Sequence, residues 1–171
     1  TQAVSITGSA HADTINAGSG VDTITGGDGA DEIDGGAGND IFIIADEAHH
    51  DAGETIVGGA DTDTIRFTAT DAATLTLDAS TVVEEVAIAA ADGTATGTTN
   101  ESIDASNVTS ATAIALTGNA GDNTLTGNAQ INTITGGAGV DTITGGAGAD
   151  VLAGGDGDDI FNFADIAEVN A

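Results

Sequence analysis

The sequence predicts an all-β fold, a right-handed parallel β-roll or β-solenoid, on three observations. A nine-residue frame of glycine turn plus short apolar strand recurs along the chain. The 26 glycines are phased with that frame rather than scattered, so they do not signal disorder. Large core-forming side chains are nearly absent: there is no Trp, Tyr, Met, Cys or Pro, and there are four Phe. A narrow solenoid meets that limit, because each rung buries only a thin stripe against its neighbours.

The complete frames are 26–34 (Gly-Gly-Asp-Gly-Ala-Asp-Glu-Ile-Asp), 35–43, 136–144, 145–153 and 154–162, all fitting GGxGxDxUx. Looser copies occupy 8–16 and 17–25 before the first pair, and 118–126 and 127–135 before the second group. In 118–135 the sixth position holds Asn123 and Asn132 instead of aspartate, and Gln130 replaces a glycine. One frame, 58–66, lies off the first register and carries Asp61 where the fourth glycine belongs, with Asp63 at position 6. Each frame reads as a six-residue turn and a three-residue strand, so position 8 points inward. That face holds Ile15, Ile24, Ile33 and Phe42, then Leu125, Ile134, Ile143, Leu152 and Phe161.

Composition excludes several roles. With 28 acidic residues against one cation, Arg66, the formal charge is −27, which excludes nucleic-acid binding and disfavours an anionic membrane surface. No segment approaches a membrane span and no leader pattern opens the chain; a piece of a longer protein is expected. The absence of Cys removes disulfides and thiolate chemistry. Uncompensated, such charge resists compaction. An acidic tail or halophile-like surface is the bland alternative, but phased rather than blocky acids speak against it. Glycines at positions 1, 2 and 4 permit positive φ and let carbonyl oxygens face one point. The position-6 aspartate adds a hard anionic oxygen, and calcium takes about six to eight oxygen ligands. The expected cofactor is therefore Ca2+, several ions.

On these frames the chain resembles the RTX (repeats-in-toxin) family of secreted bacterial proteins, over about 8–66 and 118–163. The resemblance implies that two nonapeptides make one coil and that ions lie between stacked turns, held by both position-6 residues and by turn carbonyls. It pairs Asp13 with Asp31, Asp22 with Asp40, Asp141 with Asp159, Asn132 with Asp150, and Asn123 with Asp141. It implies backbone ligands at Gly27, Gly29, Gly36, Gly38, Gly137, Gly139, Gly146, Gly148, Gly155 and Gly157. Asn offers a neutral oxygen, so Asn123 and Asn132 are expected to hold ions weakly or not at all. Ser9 and His11 stand where glycines belong, which weakens Asp13, and Asp63 is expected to lack a stacked partner in register.

The expected organisation is a first array over 1–66 with an insertion loop at 44–57, a Thr/Ala-rich β linker over 67–117, solenoid-like or a small separate β domain, and a second array with a C-terminal cap over 118–171. The cluster His49-His50-Asp51 reads as an exposed loop before it reads as a transition-metal site. Recurrent Thr-x-Thr triplets suit exposed strand positions better than an ice-binding face. No nucleophile–base pair is evident, and Glu84 and Glu85 as strand neighbours face opposite ways, so no catalytic residues are expected. The expected function is a calcium-binding structural module of a large secreted or cell-surface protein, adhesin or surface-layer-like, folding outside the cell after type I secretion. The alternatives are an accessory secretion and folding domain of a secreted protease, lipase or epimerase, and a calcium-triggered self-association module.

Overall fold

The computed structural model describes residues 2–46, 50 and 53–163. In chain order the strands are β1 (Ser5–Thr7), β2 (Thr14–Asn16), β3 (Thr23–Thr25), β4 (Glu32–Ala37), β5 (Ile41–Ile44), β6 (Thr55–Ala60), β7 (Thr64–Phe67) and β8 (Thr74–Thr76). They continue with β9 (Glu85–Ile88), β10 (Ser102–Asp104), β11 (Ala115–Thr117), β12 (Thr124–Thr126), β13 (Thr133–Ala138), β14 (Thr142–Thr144), β15 (Val151–Asp156) and β16 (Ile160–Asn162). Every pairing is parallel, and the odd-numbered strands form one eight-stranded sheet from β1 to β15. The even-numbered strands form the opposite wall in two pieces, β2-β4-β6 and β8-β10-β12-β14-β16. The fold is an all-β parallel solenoid, as the periodicity predicts.

The inward position stacks residue on residue. Ile6, Ile24, Phe42, Ile65, Val86, Leu116, Ile134 and Leu152 form one column through the long sheet. On the facing wall Ile15, Ile33 and Ile56 form one column, and Leu75, Ile103, Leu125, Ile143 and Phe161 another. A fully buried Ile, Leu or Phe contributes about 1.5–3 kcal/mol, so a single file of them on each wall gives a thin core. At the last coil no described residue covers the column, and Phe161 is 38% exposed.

The segment between the arrays belongs to the same solenoid: β9 pairs with β7 and β11, and β10 pairs with β8 and β12. Four strands of this segment contribute, β8, β9, β10 and β11, although it lacks the nine-residue frame. The facing wall changes strand here, because Val82 bridges Val57 and β8 begins a new stack. The excursion after β5 is shorter than the expected 44–57, since Ile44 ends β5 and Thr55 already pairs with Glu32. Residues 90–96 leave the solenoid as a loop, which Arg66 holds by donating to the Ala91 carbonyl at 2.6 Å.

At saturating calcium, Phe42→Ala should cost about 3–5 kcal/mol in urea unfolding, the range for deleting a buried aromatic ring. Phe161→Ala, at the uncovered end, should cost far less in the same measurement.

Candidate metal centre

The position-6 residues lie at the turn edges, one above the next, and their two oxygens are used differently. The Oδ1 atoms of Asp31, Asp40, Asp141, Asp150 and Asp159 each accept the backbone N–H of the position-6 residue one coil earlier. Asp13 donates to Asp31 at 2.9 Å, Asp22 to Asp40 at 2.8 Å, Asn123 to Asp141 at 2.8 Å, Asn132 to Asp150 at 2.8 Å and Asp141 to Asp159 at 3.0 Å. These are the stacked pairs that the resemblance implies. The Oδ2 atoms of Asp22, Asp31, Asp40, Asp63 and Asp141 are buried and accept no hydrogen bond from the described residues. A buried carboxylate oxygen without a donor is costly unless a cation faces it.

What those oxygens face is defined by the position-1 glycines. A Cβ added at Gly35 would meet Asp40 Oδ2 at 2.5 Å and the Gly58 carbonyl oxygen at 2.7 Å. The carboxylate of one turn and a carbonyl of the turn one coil later thus converge over the same glycine. The convergence recurs at Gly8 with Asp13 and Gly26, at Gly136 with Asp141 and Gly154, at Gly118 with Asn123 and Gly136, and at Gly127 with Asn132 and Gly145. A side chain at any of these places would fill the space. The donors are all oxygens, the set a hard divalent cation prefers.

The turn backbone is specific as well. Positions 2 and 4 are left-handed in 35–40, with φ of 102° at Gly36 and 122° at Gly38, and a Cβ at Gly38 would overlap the Gly20 carbonyl. Positive φ at both places recurs in 17–22, 26–31, 136–141, 145–150 and 154–159, which includes all ten glycines expected as backbone ligands. The frame at 58–63 shares it, with Gly59 at 109° and Asp61 at 82°. Asp61 is the one non-glycine with positive φ among the described residues, a strained conformation kept where the turn requires it.

The expectation that Asp63 lacks a stacked partner is corrected by this register. The excursion lengthens the coil, so Asp40 N–H donates to Asp63 Oδ1 at 2.8 Å across a separation of 23 residues instead of 18. Glu84 extends the same edge, accepting the Asp63 N–H at 3.0 Å through Oε2. Sequence reading missed that role, although the place of Glu84 directly before a strand was the available signal. Of the histidine cluster, His49 and Asp51 lie outside the described residues. His50 is buried, not exposed, with Nδ1 3.1 Å from Glu54 Oε2. Among the described residues no three His, Cys, Asp or Glu side chains gather as a metal cluster; two stacked carboxylates with carbonyls do not make such a cluster.

Residues 7–42, 117–152 and 135–165 match the family model of the RTX calcium-binding nonapeptide repeat. The two arrays are RTX repeats. No curated protein matches the chain. The RTX repeats make this chain a calcium-binding module, and its donors fit the ion: paired position-6 oxygens, turn carbonyls and a cleft that only glycine leaves open.

Burial raises the Asp40, Asp63 and Asp141 carboxyls above the usual aspartate value. Asp63 reaches about 6, with Asp40, Glu84 and Asp61 adding like-charge repulsion and the Asp40 N–H opposing it. Because the folded, metal-free form holds protons that the unfolded chain releases near 3.8, its stability falls as pH rises from about 3.8 through about 6. In chelator, circular dichroism should therefore show more β-structure at pH 4 than at pH 7. With calcium the order should reverse, since protons compete with the ion below about 6.

Proposed function

We propose that the chain is a calcium-folded structural module of a large secreted or cell-surface protein, open before export and rigid outside the cell. The observation that carries this reading is the row of buried Oδ2 atoms without donors, set in left-handed turns of a chain carrying a net charge of −27. At the sub-micromolar calcium of a cytosol those carboxylates repel, and at millimolar calcium each bound ion adds its binding free energy to folding. Among the described residues three junctions have the left-handed turn on both sides: 17–22 with 35–40, 35–40 with 58–63, and 136–141 with 154–159. These are the strongest sites, and Asp40 serves two of them.

RTX proteins typically leave the cell by type I secretion, which suits an export-competent unfolded chain. What supports a stalk-like adhesin or surface-layer role is the continuous solenoid, whose linker stacks on both arrays. The alternative of an accessory domain beside a secreted enzyme rests on the family alone. The chain itself is read as carrying no catalytic centre. A third reading, calcium-triggered end-to-end association, is favoured by β16 having no partner strand beyond it among the described residues, with Phe161 and Phe163 38% and 51% exposed.

Circular dichroism across a calcium titration tests the proposal: β-signal should appear cooperatively with calcium at pH 7, and a chain equally β-rich in chelator would overturn it. In equilibrium dialysis Asp40→Ala should lose two ions and Asp159→Ala one. Light scattering over the same titration distinguishes folding of a monomer from assembly.

A further inference from the structure

Three turns of RTX spacing do not have the RTX backbone. No residue of 8–13, 118–123 or 127–132 has positive φ. In each, the position-2 residue carries a polar side chain in place of glycine: Ser9, Asn119 and Asn128. Each of these contacts the position-6 residue of its own turn. Ser9 donates to Asp13 Oδ2 through N–H at 2.7 Å and Oγ at 2.9 Å. Asn119 N–H donates to Asn123 Oδ1 at 2.9 Å, and Asn119 Oδ1 accepts from Asn123 Nδ2 at 3.1 Å. Asn128 Oδ1 accepts from Asn132 Nδ2 at 2.9 Å.

The Asn119 amide goes further. Its Nδ2 donates to Glu101 Oε2 at 2.7 Å and to the Thr99 carbonyl at 3.1 Å. Ser102 pairs with Thr124, so Glu101 holds the position-6 place one coil before Asn123. The amide therefore lies between a position-6 carboxylate and a turn carbonyl, the kind of oxygen pair that converges over the position-1 glycines elsewhere. Its orientation is fixed, because both neighbours of Nδ2 only accept, while Gly121 N–H donates to Oδ1 at 2.8 Å. Asn123 Nδ2 adds a bond to the Glu101 carbonyl at 2.9 Å, and Asn128 Nδ2 one to Thr112 O at 3.1 Å.

We propose that Asn119 with Asn123, and Asn128 with Asn132, are amide clasps that take the place of calcium and decide which turns of this solenoid need no ion. The inference rests on the calcium-binding reading of the other turns. The clasps close the coils from the Glu101 turn to Asn132 without metal and without added charge. They leave the middle of the solenoid as a metal-independent seed beside the second array. Asn123 and Asn132 then act as hydrogen-bonding struts and not as ligands. The second clasp is the weaker, since Asn132 Oδ1 has no donor among the described residues.

Hydrogen exchange on the full chain in chelator tests this directly. Amides of 101–132 should exchange at least tenfold more slowly than those of 17–40 and 136–159; equal exchange in all three segments overturns the proposal. The fivefold variant Asn119→Gly, Asn123→Asp, Asn128→Gly, Gln130→Gly, Asn132→Asp restores the consensus in both turns and should bind two more calcium ions than the parent while losing its chelator-resistant protection. An unchanged ion count in a variant that folds with calcium also overturns it. Arrays that stay unprotected at saturating calcium would sink the calcium reading alone, because the clasps are judged by 101–132 in chelator.

Discussion

The structure depends on one arrangement: a carboxylate whose first oxygen ties two coils together and whose second is buried without a donor. The Asp22 N–H to Asp40 Oδ1 and Asp40 N–H to Asp63 Oδ1 bonds act as rivets along the turn edge. Each is a charge-assisted bond and so stronger than a neutral one. The cost appears at Oδ2, where desolvation and repulsion between stacked aspartates oppose folding, and the raised Asp40, Asp63 and Asp141 carboxyls express that opposition. In the proposed function a divalent cation reverses its sign: it would turn an array of like charges into an array of ion pairs and a thin hydrophobic column into part of a rigid rod.

Glycine has a narrower role than its abundance suggests. At position 1 it leaves the space into which Asp40 Oδ2 and the Gly58 carbonyl point. At positions 2 and 4 it permits the left-handed backbone, and Asp61 shows that the turn conformation is strong enough to be imposed on a residue that resists it. Sequence deviations from glycine therefore do not all mean the same thing. Asp61 keeps the backbone and the stacked partner, whereas Asn119 abandons the backbone and rebuilds the turn from side-chain hydrogen bonds.

This difference explains how far the sequence could be read. The solenoid and the inward column follow from a strict nine-residue period, because position 8 recurs on a fixed side of the coil, whereas the stacked aspartate pairs were implied by the RTX resemblance. The register of Asp63 was not readable, since nothing local reveals that an excursion of irregular length returns the chain to the same edge. Glu84 and β10 escaped for a related reason: outside the arrays the coil length varies, and a residue's place is fixed by pairing with coils before and after it. Ser102 pairs with Thr74 and Thr124 at separations that no repeat announces.

The linker lacks the glycine turns of the arrays but shares their core. Between β7 and β11 the chain buries Phe67, Leu75, Leu77, Val83 and Ile88, and its loops are closed by bonds such as those of Arg66 and Asn119. Its stacking on both sides matters because helical or solenoid order is costly to nucleate and cheap to extend from an existing rung. A formed coil at β10 and β11 offers paired edges to β12 and β13, so the strands preceding the calcium turns of the second array are already aligned when the ion arrives. The first array meets the linker through β7 and β9, where Asp63 and Glu84 share an edge. If the clasped coils are the metal-independent seed proposed above, calcium closes turns against an existing template, and the ion fastens order whose register the protein has set.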